Sequence, residues 1–238
     1  MTGASSGIGR ATATLLGRAG ALVGVHCHTH VAAAQAVAAD IERTGGRACV
    51  LDADVTDPAA RQNLIPRMLD ALGGLDALVN NAGGIPNARS LDDLTEADWD
   101  AALELNLTAP FFLSQAAFAH MRENGGGKIV NVTSVGVHYA GSATTMHYSA
   151  AKAALELVTR ALARSGAPHG ILVNAVRPGF IDTPLHQHLS AEARQRRLQM
   201  VPLKRAGTPA DVGRMILYLL SSGADFVTGQ IIGVTGGD

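Results

Sequence analysis

The stretch Thr2-Gly3-Ala4-Ser5-Ser6-Gly7-Ile8-Gly9 is a glycine-rich turn that opens a helix. The first N–H groups of a helix have no intrahelical acceptor, and the positive end of the dipole adds to their field, so such a turn can cradle a pyrophosphate. Taken by itself, the same stretch also suits a plain helix entry with glycines kept for packing. The chain downstream decides between the two. Residues 8–18 read as helical, 21–27 as extended, 32–43 as helical, 48–52 as extended, 58–72 as helical and 77–80 as extended. The second half continues with a long helix over 96–123, a strand over 128–133, a helix over 146–164 and a strand over 171–176. Short apolar strands between helices predict a doubly wound parallel sheet with helices on both faces, an α/β single domain in three α/β/α layers with right-handed crossovers.

A chain of 238 residues suits one domain. Lys+Arg 19 against Asp+Glu 20 leaves a formal charge of -1, so no basic field exists to hold nucleic acid or an anionic membrane. The 47% hydrophobic fraction suits a large core and excludes a disordered chain. Cys27 and Cys49 lack the spacing of a zinc site or a redox pair and read as buried, reduced thiols. There is no apolar run of membrane-spanning length and no basic-then-apolar leader, which predicts a cytoplasmic protein. No repeat or linker divides the chain, and Gly125-Gly126-Gly127 is a turn rather than a boundary. Residues 183–206, rich in His, Gln and Arg and holding Pro184 and Pro202, read as a mobile substrate flap, with Leu185, Leu189, Leu198, Met200 and Val201 available to line a lid. A plain amphipathic surface helix is the alternative for that segment.

Three features bear on chemistry. Tyr148 and Lys152 are four residues apart, which places both on one helix face. An adjacent ammonium favours the phenolate and lowers the tyrosine pKa toward working pH, making a usable general acid or base. A surface pair is the plainer reading of two such residues alone. Ser134 ends the 128–133 strand, where open α/β sheets bind ligands, and its hydroxyl can orient a carbonyl oxygen. Asn106 lies within the long helix at Leu105-Asn106-Leu107-Thr108, where a buried amide requires a partner or a water. His138, Tyr139, Met146, His147 and Phe180 lie close in sequence and are left without a role. His26, His28 and His30 alternate and would share one face of an extended segment, but a fourth ligand is not evident, and structural or phosphate-facing histidines are the expectation, with no metal.

Across nearly its whole length the sequence resembles the short-chain dehydrogenase/reductase family, in its single-domain branch with a Rossmann-type sheet. The match rests on the TGxxxGIG turn, Asp54-Val55, Asn80-Asn81-Ala82-Gly83, Asn106, Ser134, Tyr148-Ser149-Ala150-Ala151-Lys152, and Pro178-Gly179 with Thr183. The resemblance implies a nicotinamide dinucleotide bound by Gly3, Ser5, Ser6, Gly7, Ile8 and Gly9. It places Asp54 and Val55 against the adenine, and Asn80, Asn81, Ala82 and Gly83 as the wall beside the cofactor. Pro178, Gly179, Ile181 and Thr183 then lie at the nicotinamide. It also implies a catalytic set of Asn106, Ser134, Tyr148 and Lys152, with a proton path from Tyr148 through the ribose and Lys152 to a water held by Asn106. The separation of Ser134 from Tyr148 is 14 residues, one more than the family pattern, so the 135–147 loop is expected to bulge and shape the substrate pocket.

One departure concerns the start of the chain. The family places an apolar strand directly before the TG turn, whereas this chain begins Met1-Thr2-Gly3. In the 3-2-1-4-5-6 strand order that strand is central, so its loss is expected to expose two ladder edges, and a trimmed or misplaced start is the expectation. Cofactor choice turns on the end of the second strand, Gly24-Val25-His26-Cys27-His28-Thr29-His30, which holds no acid to bind a ribose 2′-hydroxyl. His28 and Thr29 can donate to a 2′-phosphate, so NADP(H) is favoured, with NAD(H) possible because no Arg or Lys is present there.

The resulting expectation is a carbonyl reductase or alcohol dehydrogenase, resembling 3-oxoacyl-acyl-carrier-protein reductases and sugar or polyol dehydrogenases. Its partners are a small carbonyl or alcohol substrate and, through the Tyr148 helix and residues 217–237, three further copies in a homotetramer. Two rivals differ in class. A catalytically silent dinucleotide-binding sensor is disfavoured by the intact Asn106, Ser134, Tyr148 and Lys152 set. A sugar-nucleotide epimerase or dehydratase, which also uses Tyr-x-x-x-Lys, is disfavoured by a length that leaves little chain for a substrate domain.

Overall fold

Alternate residues of the central strands feed opposite faces of the sheet, and this sets the layers. In the computed structural model, which describes residues 1–186 and 189–238, strands β3 (Ala77–Asn80), β4 (Gly127–Val132), β5 (Ile171–Pro178) and β6 (Ile231–Val234) lie side by side in that order, all parallel. Leu78, Ile129, Ile171 and Val173 pack on one face against α3 (Pro58–Leu72), α5 (Ala109–Glu123) and α6 (Met146–Gly166). Val79, Val130, Val132 and Val176 pack on the other against Val212, Ile216 and Leu219 of α8 (Pro209–Leu220). Such two-sided burial is why these strands read as apolar runs rather than as an alternating pattern. A third cluster joins α1 (Gly7–Arg18), β1 (Leu22–Cys27) and α2 (Val31–Arg43), with β1 parallel to β2 (Arg47–Asp52). The three-layer α/β/α single domain follows the sequence expectation.

β1 and β3 are not bonded to each other. Residues 1–4 sit between their ends instead. The Met1 ammonium donates to the Gly24 carbonyl at 3.1 Å, His26 N–H donates to the Met1 carbonyl at 3.1 Å, and Ala4 N–H donates to the His26 carbonyl at 2.8 Å. On the other side Thr2 N–H donates to the Val79 carbonyl at 3.0 Å. The Met1 side chain packs against both the α8-side cluster and the β1 cluster. Val23, Val25, Leu78 and Val79 are buried.

The long helix expected over 96–123 is two helices. α4 (Glu96–Leu103) and α5 are joined by a π-helical turn, Glu104–Thr108, which widens the backbone where Asn106 points inward. Sequence reading also left α8 and β6 unassigned and stopped β5 two residues early. Within the expected flap, α7 (Ala191–Met200) is a surface helix with no buried residue. Gln187 and His188 of that flap lie outside the described residues.

Candidate active site

The C-terminal ends of β1, β3, β4 and β5 open onto one cleft of about 700 Å³. Its nucleotide end is built mostly from backbone. Gly3 and Gly7 adopt positive φ, 60° and 52°, which folds the turn so that Gly3, Ser5, Ser6, Gly7 and Ile8 face the cleft. Gly9 lies beneath, where a Cβ would fall 2.0 Å from the Gly3 carbonyl oxygen. Asn81 clamps the turn from β3: its Nδ2 donates to the Thr2 and Gly3 carbonyls at 2.9 and 3.0 Å, and the Thr2 hydroxyl accepts from Asn81 and Ala82 N–H.

His26 clamps it from β1. Gly3 N–H donates to Nδ1 at 3.2 Å, so the ring proton resides on Nε2, which donates to the Ala53 carbonyl at 3.0 Å. Burial pushes its pKa down to about 4, which keeps the ring in this neutral form. The metal reading of the three histidines therefore dissolves into separate roles: His26 is a buried brace, while His28 and His30 are exposed. Among the described residues no His, Cys, Asp or Glu group is arranged to hold a metal ion.

The residues present fit a dinucleotide. α1 begins with no side-chain cap and no acid in its first turn, whereas α4 and α8 both carry complete capping boxes. A helix start left bare and turned into a cleft suits an anion. Cys27, His28, Thr29, Asp54, Val55, Asn81, Ala82 and Gly83 line the same end. His28 stands 3.7 Å from the Asp54 carboxylate, and the Thr56 hydroxyl and N–H hold that carboxyl below its ordinary range.

The other end is built from side chains. α6 places Tyr148 and Lys152 one turn apart, and both line the cleft with Ser134, Pro178, Gly179, Ile181 and Thr183. Lys152 is buried and donates to the Val132 carbonyl at 2.9 Å, with Nζ 5.9 Å from the centre of the Tyr148 ring. Burial lowers its pKa from 10.5 to about 8. The expectation that this ammonium lowers the phenol is not met: burial pushes Tyr148 above its ordinary value, and only the Ser134 hydroxyl works in the other direction. The reason is geometric, since the ammonium is turned to a β4 carbonyl.

Asn106 is fully buried and does not reach the cleft wall. Its Nδ2 donates to the Gly84 and Ala102 carbonyls at 2.9 and 3.0 Å, and its Oδ1 accepts from Gly84 N–H at 3.1 Å. It thereby holds the strand behind Gly83, where a Cβ would meet Asn106 Oδ1 at 2.9 Å and Lys152 Nζ at 3.0 Å. Asn80 also lies away from the cleft, donating to Ser114 and Asn131 under the sheet at 2.8 and 2.9 Å. One turn beyond Lys152, buried Glu156 takes Arg177 in a two-pronged pair at 2.8 and 2.6 Å, and Arg177 also donates to His138. This ties α6, β5 and the 135–147 loop together. Of the other unassigned residues, His147 engages the Pro86 carbonyl at 3.0 Å, Phe180 is buried, and Tyr139 lines the cleft and donates to Asp238.

From the flap, Pro184, Leu185, His186, Leu189 and Arg197 line the cleft, whereas Leu198 and Met200 do not and Val201 is buried against Gly236. His186 and Arg197 were missed by sequence reading. α7 has no apolar stripe to say which of its faces turns inward.

Comparison with known proteins agrees with this geometry. The family described as Enoyl-(Acyl carrier protein) reductase matches residues 3–238. The chain is 37% identical to the 3-oxoacyl-(acyl-carrier-protein) reductase FabG of Thermotoga maritima, covering 100% of this chain and 95% of that one. It is 40% identical to the cis-4-hydroxycyclohexanecarboxylate dehydrogenase of Sinomonas cyclohexanicum, covering 100% and 94%. The crystal structure of acetoin dehydrogenase YohF from Salmonella typhimurium superposes with a TM-score of 0.90 at 33% identity, covering 100% and 94%. With a matching fold, a bare helix start facing a cleft, and Ser134, Tyr148 and Lys152 gathered at the strand ends, the chain belongs to the short-chain dehydrogenase/reductase family of nicotinamide-dependent oxidoreductases acting on alcohol and carbonyl groups.

Proposed function

We propose that the chain is an NADP(H)-preferring carbonyl reductase, reversible toward secondary alcohols, in which Tyr148 is the general acid. The observation that carries this reading is the convergence of Tyr148, Ser134 and Lys152 on the wall that also holds Pro178, Gly179, Ile181 and Thr183. When bound, the nicotinamide supplies or accepts the hydride at the carbonyl carbon. Ser134 donates to the carbonyl oxygen and fixes its position, and the raised phenol of Tyr148 stays protonated until that oxygen gains negative charge. Lys152, charged at neutral pH but close to its pKa, offers a positive field beneath the phenol ring. Asn106 acts behind Gly83 as a brace of the cofactor wall. The intact trio speaks against a silent sensor.

NADP(H) is favoured because the end of β1 offers His28 and Thr29 as donors and no acid, with NAD(H) as the alternative. The names of the two relatives, one acting on a 3-oxoacyl group and one on a hydroxycyclohexane ring, support a ketone or secondary alcohol on an aliphatic frame. Residues 183–206 act as the substrate flap, supported by Leu185 and Leu189 on the cleft wall. A homotetramer is supported by exposed Leu157 on α6 and by exposed Tyr218 and Phe226 in the 217–237 segment. No described helix is long and apolar enough to cross a membrane, and dependence on a nicotinamide pool supports a cytoplasmic setting.

Titration of the protein with NADPH and NADH, followed by nicotinamide fluorescence, tests the reading. NADPH is expected to bind about tenfold tighter. Equal affinity overturns the NADP(H) preference, and binding of neither overturns the oxidoreductase assignment of this cleft.

A further inference from the structure

Arg197 is the only arginine that lines the cleft among the described residues. It is half-buried on α7, and its guanidinium lies 5.9 Å over the ring of buried Phe180, with Arg194 over the same ring at 5.6 Å. The two cations differ in how their charge is answered. Arg194 pairs with Asp182 at 3.2 Å. Among the described residues Arg197 reaches only the Met200 sulfur, at 3.8 Å, which is a weak acceptor, and no carboxylate lies within salt-bridge distance of it. Neither Gln187 nor His188 is an acid. A cation–π contact with Phe180 leaves the guanidinium N–H groups available to another partner.

Arg197 of α7 and Tyr139, in the loop that follows Ser134, both line this cleft. The acid nearest to Tyr139, Asp238, is engaged by the Tyr139 hydroxyl. His186 also faces the pair of arginines, and burial with their charge lowers its pKa, which disfavours a third cation there. Leu185 and Leu189 line the same cleft. A planar guanidinium fork beside apolar side chains matches a carboxylate in two-pronged geometry.

Resting on the reductase reading above, we propose that Arg197 is a specificity-determining residue that receives a carboxylate of the substrate, so that this chain acts on oxo acids and their hydroxy-acid counterparts. The reaction stays balanced as before: hydride adds to the ketone carbon, Tyr148 protonates its oxygen, and the carboxylate is unchanged.

The test compares linear 3-oxo, 4-oxo and 5-oxo acids with their methyl esters, at saturating NADPH. In the wild-type protein at least one acid is expected to exceed its ester in kcat/KM by about tenfold, because a half-buried guanidinium fork discriminates against an uncharged partner. Arg197→Met is expected to bring that ratio near one through the KM of the acid, Arg197→Lys to keep part of it, and Arg196→Met, at the exposed neighbouring position, to keep all of it. Preference for the esters, or a ratio unmoved by Arg197→Met, overturns the proposal while leaving the reductase reading intact. A rise in the NADPH Kd of Arg197→Met with no change in the acid-to-ester ratio also overturns it, assigning Arg197 to the cofactor phosphates. If no carbonyl is reduced, the reductase reading falls, and thermal melting of the NADPH mixture with 4-oxopentanoate decides the remainder. Stabilisation that disappears in Arg197→Met supports a carboxylate site, and absence of stabilisation overturns it.

Discussion

The two ends of the cleft are made of different material. At the nucleotide end the cleft is faced by the glycine-rich turn over Gly3 and residues 5–8 and by the uncapped start of α1, and side chains such as His26, Asn81 and Thr2 work behind them to hold the turn. At the substrate end the groups are side chains, Ser134, Tyr148, Lys152 and Arg197, carried by two helices, α6 and α7, and the loop after β4. The difference teaches where change is tolerated. A backbone-built end depends on glycine geometry and fails when the chain moves, while a side-chain-built end can be respecified by single substitutions on a scaffold that stays in place.

The sharpest way to separate the two ends is Tyr148→Phe. Removing one hydroxyl is expected to cut turnover about 10³-fold, the scale of lost general acid catalysis, while the NADPH Kd measured by fluorescence stays within about twofold. A large change in Kd would mean that the two ends are not independent. A middle-sized effect belongs to His26. Its folded pKa of about 4 lies below the ordinary 6.5, so between those values the unfolded chain binds a proton that the folded one does not. Stability therefore rises with pH through this window and is lost as pH falls, by about 1.4 kcal/mol per unit. Melting at about pH 5 rather than pH 6.5 is expected to lower Tm by about 4–8 °C through this group, for a loss of about 2 kcal/mol in a chain of this size. His26→Gln should flatten that dependence, and an unchanged slope would remove His26 as its source. The smallest expected effect is Gly9→Ala. Because its Cβ would fall 2.0 Å from the Gly3 carbonyl, the turn must shift, and the NADPH Kd is expected to rise about tenfold, about 1.4 kcal/mol, with turnover at saturating cofactor little changed. Undiminished affinity would show that the turn does not depend on this close approach.

The same division explains what could be read without coordinates. The turn at residues 2–9 and the order of helices and strands are local patterns, and the sheet follows from them. The spacing of Tyr148 and Lys152 is equally local. The charge state of Tyr148 is not, because it depends on Lys152 pointing at Val132, 20 residues away in the chain, and on burial that no spacing encodes. The π-helical turn escaped notice since Leu105-Asn106-Leu107-Thr108 has ordinary helical composition, and the bonds that Asn106 makes from it to Gly84 span 22 residues. Arg197 was one of several cations on a polar helix until Phe180 fixed its direction.

Residues 1–4 carry a further consequence. They bond to β1 on one side and β3 on the other, and Thr2 meets partners 77 to 80 positions along the chain, while residues 5–8 line the cleft. The phosphate turn is thus also the seam between the β1–β2 ribbon and the four-stranded sheet. Cofactor occupancy and closure of that seam are thermodynamically linked: a ligand present at a hundredfold excess over its Kd holds the joined form by about 2.7 kcal/mol. A cellular shift in the nicotinamide pool would then alter the lifetime of the protein as well as the direction of its reaction.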